Sequence, residues 1–138
     1  MNKPSGGITV NRKVLQPPSL KDPRPRYSQG IQTTGGSLVF IAGQTAADEN
    51  GQVVGKGDIE LQAERVFANL GAVLAAAGGS FENLTMTTTY LTDIAYREAY
   101  NKVRLKYYRS EPPANTLIVV TALGHEDFLI EIDAIAVI

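Results

Sequence analysis

Phe128-Leu-Ile-Glu-Ile-Asp-Ala-Ile-Ala-Val-Ile138 closes the chain, and its reading decides the fold. The run is rich in β-formers and holds no glycine or proline, so it reads as a strand. Ile130 and Ile132 precede Ile135 and Val137 in the opposite phase, so both faces of this strand are apolar and both call for cover. Two charges interrupt it. Glu131 and Asp133 share a face by the two-residue period, and close carboxylates tend to push one pKa upward. Burying a carboxylate is costly without partners. Glu131 therefore reads either as a general base or water-holding group, or as part of a solvent-facing stripe on an edge strand.

Upstream, Gly124-His-Glu-Asp127 is a turn by composition and joins this strand to another over Thr116 to Thr121. Pro112-Pro113 stops a helix whose stripe is Tyr96, Tyr100, Val103 and Tyr107, with Arg97, Glu98, Lys102 and Lys106 on the wet side. Asp93 is placed to cap it, after a threonine-rich strand from Leu84 to Thr92. An earlier helix starts at Asp58, repeats apolar residues from Ile59 to Ala77 at helical spacing, and ends at Gly78-Gly79. Asn50-Gly51 marks a tight hairpin, and Gly35-Gly36 marks another between Ile31–Thr34 and Ser37–Ala42. Residues 1–26 carry Lys3, Arg12, Lys13, Lys21, Arg24 and Arg26 against Asp22, punctuated by Pro17, Pro18, Pro23 and Pro25. They read as an irregular basic arm, either a lead-in laid over the domain or a nucleic-acid tail, ahead of a domain at 27–138.

This order of elements predicts an α+β domain with a mixed sheet and two helices on one face. Nothing in the chain covers the other face, so copies are expected to pack those faces together, leaving pockets at the seams.

A length of 138 residues leaves room for one core. A net charge of −1 gives no field to recruit a polyanion, so nucleic acid is not the expected partner. The absence of cysteine excludes disulfides, thiolate metal sites and cysteine nucleophiles. Apolar runs are too short to span a bilayer, and Met1 to Gly7 is polar, so a cytoplasmic protein without a membrane partner is expected. His125 is the single histidine and reads as a surface residue, leaving no metal site and no cofactor to expect. Gly55-Lys-Gly-Asp58 is too short for a phosphate loop and reads as a flexible turn with a cap. Asn115 and Thr116 sit at a strand start where loops build sites, though Asn115 also suits a turn. Tyr27-Ser-Gln-Gly30 brings a phenol, a hydroxyl and an amide together, or is simply turn chemistry.

Several stretches together resemble one family, running in its order from about Tyr27 to the C-terminus. They are Tyr27-Ser-Gln-Gly30, Phe40-Ile-Ala-Gly-Gln44, Gly55-Lys-Gly-Asp58, Asn69-Leu through Ala76-Ala-Gly78, Thr87-Thr-Thr-Tyr-Leu-Thr-Asp93, Tyr100-Asn101, Pro113-Ala114 and Glu131-Ile-Asp-Ala-Ile-Ala136. The chain resembles the Rid family, also called YjgF or RidA, of enamine/imine deaminases. The resemblance implies a chorismate-mutase-like fold, a homotrimer with sites in the clefts between subunits, and hydrolysis of small reactive enamines and imines such as 2-aminoacrylate. By position it implies that Tyr27 lines the pocket, Asn101 sits at its edge and Glu131 holds the water.

One departure bears on substrate. Active deaminases of that family carry Pro-Ala-Arg-Ser, whose arginine clamps the substrate carboxylate; this chain has Pro113-Ala-Asn-Thr116. Replacing a charged fork by the Asn115 amide costs about 2 to 4 kcal/mol in carboxylate binding. Either the substrate's polar group is neutral and meets Asn115, which is the favoured reading, or another cation takes the role, with Arg26 nearest in sequence. A non-catalytic, ligand-binding trimer is the rival from another class.

Overall fold

The computed structural model describes residues 9–138, so the polar stretch at 1–7 lies outside the described residues. Six strands and two main helices follow in the order β1 Asn11–Leu15, β2 Gly30–Thr34, β3 Leu38–Gln44, α1 Ile59–Ala76, β4 Leu84–Leu91, α2 Arg97–Tyr107, β5 Ala114–Val119 and β6 Ile130–Val137. Four of the strands form one mixed sheet in the order β3-β6-β4-β5, where only β4 and β5 run parallel. The helices lie on one face, with α1 against β6 and β3 and α2 against α1. The α+β expectation with two helices on one side of a mixed sheet holds at this level.

Each helix is set by local chemistry. The Asp58 side chain accepts from the Leu61 N–H at 3.0 Å, an N-cap that satisfies one orphan donor. At the other end Gly78 takes φ 81°, which lets the Gly79 N–H reach the Leu74 carbonyl and the Gly78 N–H reach that of Ala75. That pair of bonds is a Schellman closure. The buried face of α1, Ala63, Val66, Phe67, Leu70 and Leu74, meets Ile130, Ile132, Ala134 and Ala136 of β6 in one core. Phe67 stacks on Tyr107 at 4.8 Å between ring centroids and so joins α1 to α2.

Three sequence expectations are corrected. The arm is not irregular throughout, because β1 within it pairs antiparallel with β2 from Asn11↔Thr34 to Leu15↔Gly30. Residues 31–42 do not form a hairpin: β2 stays with β1, whereas β3 joins β6. Ser37 exchanges both backbone hydrogen bonds with Ile138, drawing the chain across the turn at Gly35-Gly36 onto the last strand. Finally, β5 is not beside β6; it crosses over through α2's connection to lie parallel to β4, with Thr87↔Asn115 and Thr89↔Leu117 in register. β6 is thus central rather than an edge, which removes the edge-strand explanation of Glu131.

On the face away from the helices, Phe40 is 72% exposed and Leu38 64% exposed, in the same sheet face as Ile118.

Candidate functional site

The ladder register sorts the expected site residues onto two faces. Paired residues point to the same side of a sheet and neighbours along a strand to opposite sides. Asn115 pairs with Thr87, which pairs with Ala134, so its side chain lies on the helix side. Thr116 pairs with Thr88 and Asp133, and Glu131 pairs with Tyr90, so Thr116 and Glu131 lie on the open side.

On the helix side is a cavity of about 430 Å³ walled by Tyr27, Asn101, Arg104, Asn115 and Leu117, with Lys21, Arg26 and Arg97 at its rim. Four of the sequence candidates, Tyr27, Arg26, Asn101 and Asn115, thus meet in one place. Tyr27 is held there because Ser28, fully buried, donates its N–H to the Pro113 carbonyl at 2.9 Å and its hydroxyl to the Pro112 carbonyl. The hydroxyl of the Tyr27-Ser-Gln-Gly30 stretch is therefore committed to structure. Gln29 ties the arm in turn, its amide donating to the Lys21 carbonyl at 2.9 Å.

Within the cavity the polar groups form a chain. Asn115 Nδ2 donates to Thr87 Oγ1 at 2.9 Å and to Thr89 Oγ1 at 3.1 Å. Thr89 Oγ1 shares a hydrogen bond with the Tyr100 phenol at 2.7 Å. Arg104 Nη1 donates to that phenol at 3.1 Å and, at the long limit of 3.5 Å, to Asn115 Oδ1. Its guanidinium carbon lies 4.6 Å from the Tyr100 ring centroid, a cation–π distance. Burial pushes the Tyr100 phenol above its ordinary pKa, so it stays a neutral donor and acceptor. Among the described residues no carboxylate lines the cavity, so they supply no acidic general base there within one copy.

On the open side Glu131 is partly buried, and burial first, then the neighbouring Asp133 charge, raises its pKa. Asp133 accepts from the Tyr90 phenol at 3.0 Å, so it is the better satisfied of the two acids. Room for Glu131 comes from Gly43, where any Cβ would collide with Oε2. β3 shifts register between Ile41 and Gln44 at that point. His125 is a surface residue whose Nδ1 accepts from the Asp127 N–H at 3.0 Å. No three His, Cys, Asp or Glu side chains cluster among the described residues, and none of their helices is long and apolar enough to cross a membrane.

The family profile described as endoribonuclease L-PSP matches residues 19–138. A RutC family protein of Synechocystis is 37% identical over 131 residues, covering 94% of this chain and 98% of the relative. YyfB of Yersinia pestis, described as a conserved Rid family protein of unknown function, superposes with a TM-score of 0.87 at 33% identity, over 93% of this chain and 99% of that one. The chain belongs to the Rid family. Protein DfrA of Myxococcus xanthus is a further relative, 40% identical over 111 residues, or 80% of this chain and 84% of DfrA.

Sequence reading of this Rid chain missed Arg104. The signal was present: Arg104 follows Tyr100 by four positions and adjoins Val103, so it stands inside the apolar stripe of α2 rather than on its wet side.

Proposed function

We propose that the protein hydrolyses the C=N bond of a small reactive imine or enamine in clefts between copies, in a cytoplasmic homotrimer. The observation that carries this reading is the division of the site: Glu131 and Thr116 face one side of the sheet, and Tyr27, Asn101 and Asn115 face the other. One copy cannot bring them together, whereas packing the open face of one copy beside the cavity of another can. The apolar residues of the open face, Leu38, Phe40 and Ile118, supply the drive for that packing. Rid membership supports the chemistry.

In this reading the enamine first tautomerises to an imine. Glu131 takes a proton from water as the oxygen attacks the imine carbon and returns it to nitrogen, giving a carbinolamine, and then carries the hydroxyl proton to the same nitrogen. The C–N bond breaks, leaving a carbonyl product and ammonia, so water is the only co-reactant. A carboxyl with a raised pKa is better matched to both transfers near neutral pH. Simple 2-aminoacrylate is not the expected substrate, because Asn115 stands where the arginine of active deaminases would be.

Ammonia release from a panel of freshly generated imines tests the reading. Glu131→Gln should lower turnover by about 100-fold or more while leaving the assembly intact. Unchanged rates would remove Glu131 from the chemistry, and sedimentation of a stable monomer at micromolar protein would remove the shared cleft. A second reading, a trimer that binds a metabolite without turnover, draws on the lack of a carboxylate among the described residues that line the cavity. It predicts ligand-dependent melting shifts with no ammonia from any imine.

A further inference from the structure

Charge in the cavity is one-sided. Arg104 is only 4% exposed, its hydrogen bonds among the described residues run from Nη1 to uncharged partners, and its Nε is buried with no partner. Asn101, 7% exposed on the same helix, also leaves its Oδ1 unpartnered among them. A guanidinium this deep is costly to desolvate without an anion, and none of the described residues around the cavity is acidic. Lys21 and Arg26 at the rim add to the same positive field.

Asn115 is already engaged. Both hydrogens of its amide are accounted for by the Thr87 and Thr89 hydroxyls, and its oxygen faces Arg104. With no free donor, it cannot meet a neutral ligand as a two-way amide partner; it serves instead to orient the arginine.

We propose that Arg104 receives an oxyanion of the ligand, that Asn115 is its positioning residue, and that the ligand is a small organic dianion whose second charge faces Lys21 and Arg26. The proposal deepens the hydrolytic reading, since it rests on this cavity being one side of that site, and it moves the cation from β5 to α2.

Calorimetric titration of the full-length assembled protein with glutarate, butyrate and glutaramide, all unreactive, tests it. Affinity should fall in that order, with glutaramide showing no binding. Arg104→Met should weaken glutarate by at least about tenfold without lowering the melting temperature of the unliganded protein, because a buried unpaired charge is removed. Arg104→Lys, which keeps the charge and loses the planar fork, should show an intermediate loss. Wild-type glutarate affinity in a folded Arg104→Lys, or glutaramide binding as well as glutarate, would overturn the proposal. So would glutarate binding that emerges only with Glu131→Gln, since a carboxylate from a second copy would then already occupy Arg104. Ammonia release from a neutral imine with no glutarate binding sinks this inference alone. Glutarate binding with no ammonia from any imine sinks the hydrolytic reading alone.

Discussion

At Gly43 the missing side chain is what lets Glu131 sit where it does. A Cβ there would lie 2.8 Å from the Glu131 carboxyl carbon, closer than real contacts allow. The colliding group is the tip of a flexible side chain, so the backbone need not move, but the carboxylate must. Gly43→Ala should therefore leave the melting temperature nearly unchanged and cut kcat by about 100-fold, as a displacement near 1 Å of a reacting group does. A large fall in melting temperature with unchanged kcat would show that the glycine serves packing alone. The raised pKa of Glu131 also fixes a sign. The fold favours its protonated form, so its contribution to stability is fully present below the ordinary carboxylate range and fades as pH rises through the raised value. In the proposed mechanism, catalysis by the ionised form runs the other way and is expected to fail as pH falls. Glu131 could be found in the sequence because a charge interrupts an apolar strand. Arg104 was harder to find, because an arginine beside a helix stripe ordinarily snorkels to water. Only the placement of β5 beside β4, under α2, closes water off from it.

Gln62 shows how a single side chain holds elements in place. It is fully buried on α1, donates to the carbonyls of Gly55 and Asp127, and accepts from the Leu129 N–H at 2.9 Å. It thus fastens the turn before α1 to the loop that launches β6. Gln62→Leu keeps the volume and orphans these groups, and should cost about 2 to 4 kcal/mol in denaturant unfolding. A change within about 0.5 kcal/mol, ordinary for surface positions, would mean that water replaces the amide. The helices were legible because their signals are local: Asp58, the apolar repeat and Gly78-Gly79 all act within a few residues of the ends they set. Strand partnership was not. Whether Ser37 bonds to its neighbour across a turn or to Ile138 depends on which edge is free when the chain collapses, and Gly35-Gly36 permits either. β1 was hidden for a related reason, since five residues among prolines and cations become a strand only when β2 is there to pair with them.

Across the whole molecule, the sheet has one face sealed by helices and one bearing Leu38 and Phe40 in the open. That imbalance was readable from the element order, which offers two helices for a two-sided apolar sheet. Which residues stand on which face was not, because it depends on the register of β5 and β6 against β4. The same register makes the sheet a partition, with the proposed proton-transfer group, Glu131, on one side and the proposed anion receptor, Arg104, on the other. If the proposed clefts form, damage in one chain is shared with its neighbour, and two different lesions need not coincide. Glu131→Gln and Arg104→Met preparations, each impaired alone, should regain part of their turnover when denatured together and refolded as mixtures. No recovery in well-folded mixed assemblies would mean that each chain builds its centre unaided. In such clefts, two impaired alleles would complement one another because the two sides of one sheet had been shared between neighbours.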